Sequence, residues 1–179
     1  MGDELLDQYR AASDWTLSKV AGAGDQLDAP TPCEKWDVKT LVSHMLETQQ
    51  YFVRSARGEQ ASPPMGEPSD DLVCDDPTSA YERGREEVIQ TFSADGVIER
   101  TGPSLGIAFS DTLLHGWDLA RATRQDTTMP SGLAQAAYDV VYGAFTDDQR
   151  EGVFGPEISV DDDASPQEKL LAYTGRDPG

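Results

Sequence analysis

The stretch FSDTLLHGWDLARAT (109–123) sets polar residues into an otherwise apolar helical pattern. On a helix that turns about 100° per residue, His115 falls about 40° from Asp111, on the same face. Ile107, Ala108, Leu114, Leu119 and Ala122 lie within about 80° of that pair, so the face is mostly apolar and belongs in a core. A carboxylate there is costly unless it is paired, hydrogen-bonded or bound to a metal. Asp118 follows on the same stripe, one turn further on. A helix that turns such a face inward needs other helices, or a sheet, to receive it.

The rest of the chain supplies helices. Residues 3–22 carry Leu5, Leu6, Tyr9, Ala12, Trp15 and Val20 at helical spacing. Asp37 is placed to cap a second helix over 38–57, with Leu41, Met45, Leu46, Phe52 and Val53 on its apolar side. Asp76 and Pro77 open a third helix that runs to about Ser93. The fourth spans 104–123, and a fifth is expected from just after Pro130 through LAQAAYDVVYGAF, to Phe145. Between the third and fourth, ADGVIERTGPS (94–104) reads as a turn and a short extended piece. Near the C-terminus, Ser165, Pro166 and Glu168 form a capping box with a helix-compatible proline, and Gly175 closes that helix. No series of short alternating strands is present. The expected class is all-α: a four-helix bundle over 1–150 with a short C-terminal extension, 151–179, packed on it. The polar crossover 58–76 is long enough to serve as a lid over a site, or is a solvated linker.

Composition narrows the function classes. The 179 residues carry 33 acidic against 14 basic side chains, a formal charge of -19. Such a surface repels phosphate backbones and anionic lipid, so neither nucleic acid nor a membrane is an expected partner. The N-terminal MGDELLDQYR is acidic rather than basic and then apolar, and no apolar run approaches the ~18 residues of a membrane span. The two cysteines, Cys33 and Cys74, are too few for a disulfide framework. They read as reduced thiols in a cytoplasmic protein, with one Cys33–Cys74 bridge as the other reading.

The chain has two histidines. His44 lies in the second helix among Leu41, Thr48, Tyr51 and Phe52, and it also turns inward. Two facing helices thus bring His44, Asp111 and His115 toward one point, the way helix bundles build metal sites. Three protein ligands leave a position open on zinc, and the same set suits ferrous iron or nickel. Spacing alone leaves a second reading in place: a buried Asp–His pair that fixes helix register.

Two segments resemble a known family. PTPCEKWDVKTLVSHM (30–45) resembles the first signature of the mycothiol-dependent maleylpyruvate isomerase N-terminal domain, and DTLLHGWDLARAT (111–123) resembles its second. FGPEISVDDDASPQEKLLAYTGRDP (154–178) is similar to the tail of a short actinobacterial branch. The resemblance implies the DinB-like fold and a divalent metal, usually zinc, held by His44, Asp111 and His115. It further implies a small thiol such as mycothiol as co-substrate: the metal-bound thiolate attacks a small electrophile in a transferase or isomerase reaction. The isomerase has a glutamate where this chain has Asp111, and Glu47 is a reserve ligand. The isomerase also has a further C-terminal domain, so maleylpyruvate is not the expected substrate. A non-catalytic metal-binding module, and a hydrolase working through metal-bound water, remain open. Trp117 and Arg121 are candidates for the thiol's binding site, and Trp36 for the mouth of the pocket; core packing for the tryptophans and an ion pair with Asp118 for Arg121 are the structural readings. Cys33 is a candidate exchange partner for a thiol, or a small core residue. Asp118 is a candidate to orient His115 from behind, or to bond the first turn of a neighbouring helix. Monomer and homodimer are both open.

Overall fold

The computed structural model describes residues 2–33, 35–64, 66, 68, 72, 73, 76–146, 150 and 152–179. Their regular structure is helical: α1 Gly2–Ala23, α2 Val38–Ala56, α3 Pro77–Phe92, α4 Val97–Thr101, α5 Ser104–Ala122, α6 Leu133–Val141 and α7 Pro166–Tyr173. An isolated β bridge joins Pro30 to Asp37. The DinB-like all-α bundle expected from the sequence is therefore the fold. None of the described helices is long and apolar enough to cross a membrane.

Local chemistry sets the helix starts. The Asp37 side chain accepts from the Thr40 N–H, Asp76 from the Ser79 N–H, and Ser165 and Glu168 form the reciprocal capping box with Pro166 behind them. Two expectations need correction. The segment after Gly96 is not extended: Val97–Thr101 winds into one helical turn between left-handed Gly96 and Gly102. The fifth predicted helix does not reach Phe145 either. It stops at Val141, because Tyr142 turns extended and Gly143 takes a positive φ of 71°.

Helices α1, α3, α2 and α5 pack in that order around the bundle, α5 closing it against α1. The shorter α6 lies on α5, and α7 lies on α6. Helices α1 and α5 approach closely. A methyl on Gly116 would land on Thr16 Oγ1 and on the Trp15 ring, so glycine is what lets these backbones meet. There Thr16 Oγ1 donates to the Thr112 carbonyl at 3.0 Å.

Two apolar clusters fill the bundle. The larger takes Leu6, Tyr9 and Ala12 of α1, Phe52 of α2, Val88 and Phe92 of α3, the first part of α5, and side chains of α6 and α7. The smaller takes Val20 of α1, Leu41, Val42 and Met45 of α2, Tyr81 of α3 and Leu119 of α5. Buried polar side chains fall between them: Ser13 and Thr16 on α1, Thr48 and Gln49 on α2. Burying each large apolar side chain is worth roughly 1.5–3 kcal/mol. That stabilisation lets the bundle carry a polar layer, and the candidate site sits in it.

Candidate metal centre

The α5 helix is mostly buried, so its polar residues have to find partners inside. His115, 9% exposed, is held from both sides. Its Nδ1 lies 3.0 Å from Asp118 Oδ2, and its Nε2 lies 3.4 Å from Asp111 Oδ1. The His44 ring of α2 meets the His115 ring edge-on, with centroids 4.9 Å apart. One ligand atom from each of His44, Asp111 and His115 lies within 4.8 Å of the other two. Helical periodicity alone had placed these three together.

The donor set suits a divalent ion. Two ligands about 2.0–2.1 Å from a tetrahedral ion stand about 3.3 Å apart, close to the 3.4 Å between Asp111 Oδ1 and His115 Nε2. The aspartate therefore reaches as far as the centre requires. Glu47, half-buried on α2, is not among the grouped donors. The Asp111 side chain keeps 28% of its exposure, so the point between the three donors opens toward solvent on one side.

Behind the donors lies a support that the sequence reading found in part. Asp118 orients His115 as expected, but its own partner is Arg176, not Arg121. Arg176 Nε donates to Asp118 Oδ1 and Nη2 to Oδ2, both at 2.8 Å, a two-pronged pair with Asp118 fully buried. Cys33, a free thiol, adds a contact from its Sγ to Asp118 Oδ2 at 3.4 Å. Cys33, His115 and Asp118 form a second group of metal-competent atoms. The Asp118 oxygens already take two guanidinium bonds and the His115 bond, so this group is a hydrogen-bonded support and not a cation cage. Cys74, the other half of the bridge considered from sequence, lies outside the described residues, as does much of the crossover read as a lid.

The aromatic candidates divide. Trp36 packs on His44 at a centroid distance of 4.7 Å. Trp117 is 2% exposed in the larger apolar cluster, and the exposed Arg121 lies 5.8 Å over its ring. Arg176 left little trace in the sequence; an arginine one residue past the helix-closing Gly175 was the only signal.

The electrostatics follow from these neighbours. For His115, burial alone would lower the pKa, but the Asp111 charge and the bonds to Asp111 and Asp118 outweigh it, and the pKa stands well above the usual value. For Asp111, burial pushes upward and His115 pulls the pKa below the ordinary carboxylate range. For Asp118, burial again pushes upward, while Arg176 and then His115 hold it far down. His44 goes the other way, down to about 4, through burial first and the nearby His115 second. These directions make His115 an imidazolium between two carboxylates in metal-free protein at neutral pH, and His44 a neutral imidazole. A metal has to displace the His115 Nε2 proton, so affinity should rise with pH. With only two histidines in the chain, NMR reads this directly: the metal-free His44 signals should titrate near pH 4 and the His115 signals should stay those of the cation through neutral pH. Two ordinary titrations near pH ~6.5 would refute the arrangement.

Comparison with known proteins gives the family. Two uncharacterized proteins of Mycobacterium tuberculosis, one from strain CDC 1551 / Oshkosh and one from strain H37Rv, are each 27% identical over 190 aligned positions, covering 97% of this chain and 98% of theirs. No solved structure matches. Residues 9–120, which contain His44, Asp111, His115 and Asp118, match the family described as the mycothiol maleylpyruvate isomerase N-terminal domain. By that match over more than half its length, the chain belongs to the mycothiol maleylpyruvate isomerase N-terminal domain family.

Proposed function

We propose that the protein is a zinc-dependent thiol transferase or isomerase that joins a small thiol of the mycothiol type to a small electrophile. One observation carries the reading: His115 is held at Nδ1 by Asp118, so that its Nε2 faces Asp111 Oδ1 and the His44 ring. A histidine fixed at one nitrogen by a buried carboxylate presents the other as a stronger, pre-aimed ligand. A divalent ion held by His44, Asp111 and His115 would supply the positive charge that lowers a thiol's pKa and makes its sulfur the nucleophile.

The chain's own residues do the rest. Three protein donors leave room for one further ligand, and the partly exposed side of Asp111 is where a thiol arrives from solvent. Trp36 walls the His44 side and shields it from water. The sulfur's proton passes to solvent along the open side as the carbon–sulfur bond forms; at the carbon either a π bond opens and the adjacent atom takes a proton from solvent, or a leaving group departs with its electron pair, and in an isomerisation the thiolate leaves again as the π bond re-forms. Zinc-loaded protein incubated with mycothiol and a panel of electrophiles tests this. Conjugate should form in the wild type and vanish in His115→Ala. Equal conjugate formation in that variant would overturn the reading, and ester turnover without any thiol would put water in the thiol's place.

A further inference from the structure

The polar layer of the bundle holds two buried atoms that the centre described above does not use. Tyr81 Oη and Gln49 Oε1 are sealed from solvent and make no close hydrogen bond within the protein, the Thr16 hydroxyl being the polar neighbour that bears on Tyr81. Their residues are 1% and 5% exposed. Leaving such a group unpaired costs about 1–3 kcal/mol, so two in one place call for an occupant. Gln49 is committed at its other end, where Nε2 donates to the Tyr81 carbonyl at 3.4 Å. Both side chains line one small cavity with Tyr9, Thr48, Asp111 and Thr112.

The size and chemistry of that cavity define what it takes. The space it offers a water-sized occupant is about 10 Å³, the least that holds one water molecule. An occupant of so small a space lies near the side chains that line it. Burial raises the Tyr81 pKa well above that of an ordinary phenol, so Tyr81 is an O–H donor. Gln49 Oε1 and the Asp111 carboxylate are acceptors. One donor and two acceptors are what a water satisfies, accepting once and donating twice.

We propose that this recess is a site for a single internal water that Tyr81 and Gln49 hold against the Asp111 carboxylate, making both of them positioning residues for the metal centre. The inference rests on the metal reading in one respect, the role of Asp111 as a ligand. The water is donated to by Tyr81 Oη, donates to Gln49 Oε1, and spends its other hydrogen on Asp111. Asp111 Oδ1 faces His115 Nε2, so a bond from the cavity side turns the carboxylate and holds it with one oxygen toward the ion. Thr48 ties the recess to the second ligand helix: it lines the cavity, and its Oγ1 lies 3.5 Å from His44 Nε2.

Two measurements test this together. A high-resolution crystal structure of metal-free wild type should show a water peak within hydrogen-bond distance of Tyr81 Oη and Gln49 Oε1. Competition against a chromogenic chelator should show zinc held about tenfold more weakly by Tyr81→Phe, the lower end of the effect expected for groups that orient a ligand. Gln49→Met removes the acceptor at similar volume and should weaken zinc in the same direction, which keeps the test alive if Tyr81→Phe does not fold. A purely structural role would lower the melting temperature of the variants and leave their zinc affinity at the wild-type value. That result, or the lack of the peak where other internal waters are seen, overturns the inference. If wild type takes up no zinc, the metal reading has failed, and the peak alone decides the water site.

Discussion

Arg176→Met should lower the melting temperature by roughly 6–20 °C. The variant keeps most of the arginine's volume and removes its charge, which leaves the buried Asp118 carboxylate only the His115 ring and the Cys33 thiol as partners. Breaking one side of such a pair costs about 3–5 kcal/mol, and about 2–4 °C accompanies each kcal/mol in a chain of this size. The pair is bidentate, with Asp118 at 0% and Arg176 at 13% side-chain exposure, so water cannot easily replace the lost partner. The same variant frees Asp118 to move, and with it His115, so zinc affinity should fall by about 10- to 100-fold. Thermal unfolding of the single variants Arg176→Met and Asp118→Leu and of the double variant separates the terms. The double variant should recover part of the loss, because it removes the stranded charge. A double variant no better than Arg176→Met would show that the arginine matters for its packing and not for the pair.

His115→Ala should weaken zinc by on the order of 100-fold or more. Zinc sites in small proteins are worth about 10–16 kcal/mol, so each of three or four ligands carries about 3–4 kcal/mol, and every 1.4 kcal/mol is tenfold. His44→Ala should follow it in direction. The fold itself should survive in both, since the two apolar clusters do not depend on either ring. Metal analysis of the purified variants beside wild type, each prepared at neutral pH with zinc supplied, checks this. Wild type that retains no zinc under those conditions would remove the metal from the account.

Much of this architecture was legible because it is local. Asp37, Asp76 and the Ser165–Glu168 box each act within one turn, and the pairing of Asp111 with His115 is a matter of one face of one helix. The meeting of His44 with that pair needed only the assumption that inward faces share a core. What could not be read was set by distant partners. Arg176 finds Asp118 across 58 residues, and nothing in either one's neighbourhood announces the other. The recess of Tyr81 and Gln49 joins α3 to α2 in the same way. The errors at Val97–Thr101 and beyond Val141 have a different origin. One turn of helix is too short to show a period, and the apolar residues after Val141 continued a pattern that Gly143 had already ended.

The reach of Arg176 also bears on how the centre comes into being. Each helix can begin to wind on local contacts, which form quickly. The candidate metal centre has none of that advantage: it waits for α2 to dock on α5 and for the segment after α7 to close over Asp118, each a long loop closed against its own entropy. The four-helix ring should thus close before the segment after α7 locks Asp118 and His115 in place, with any metal captured after that. A fragment cut at residue 120, where the family match ends, would contain all three ligands and lack the residue that finishes the assembly.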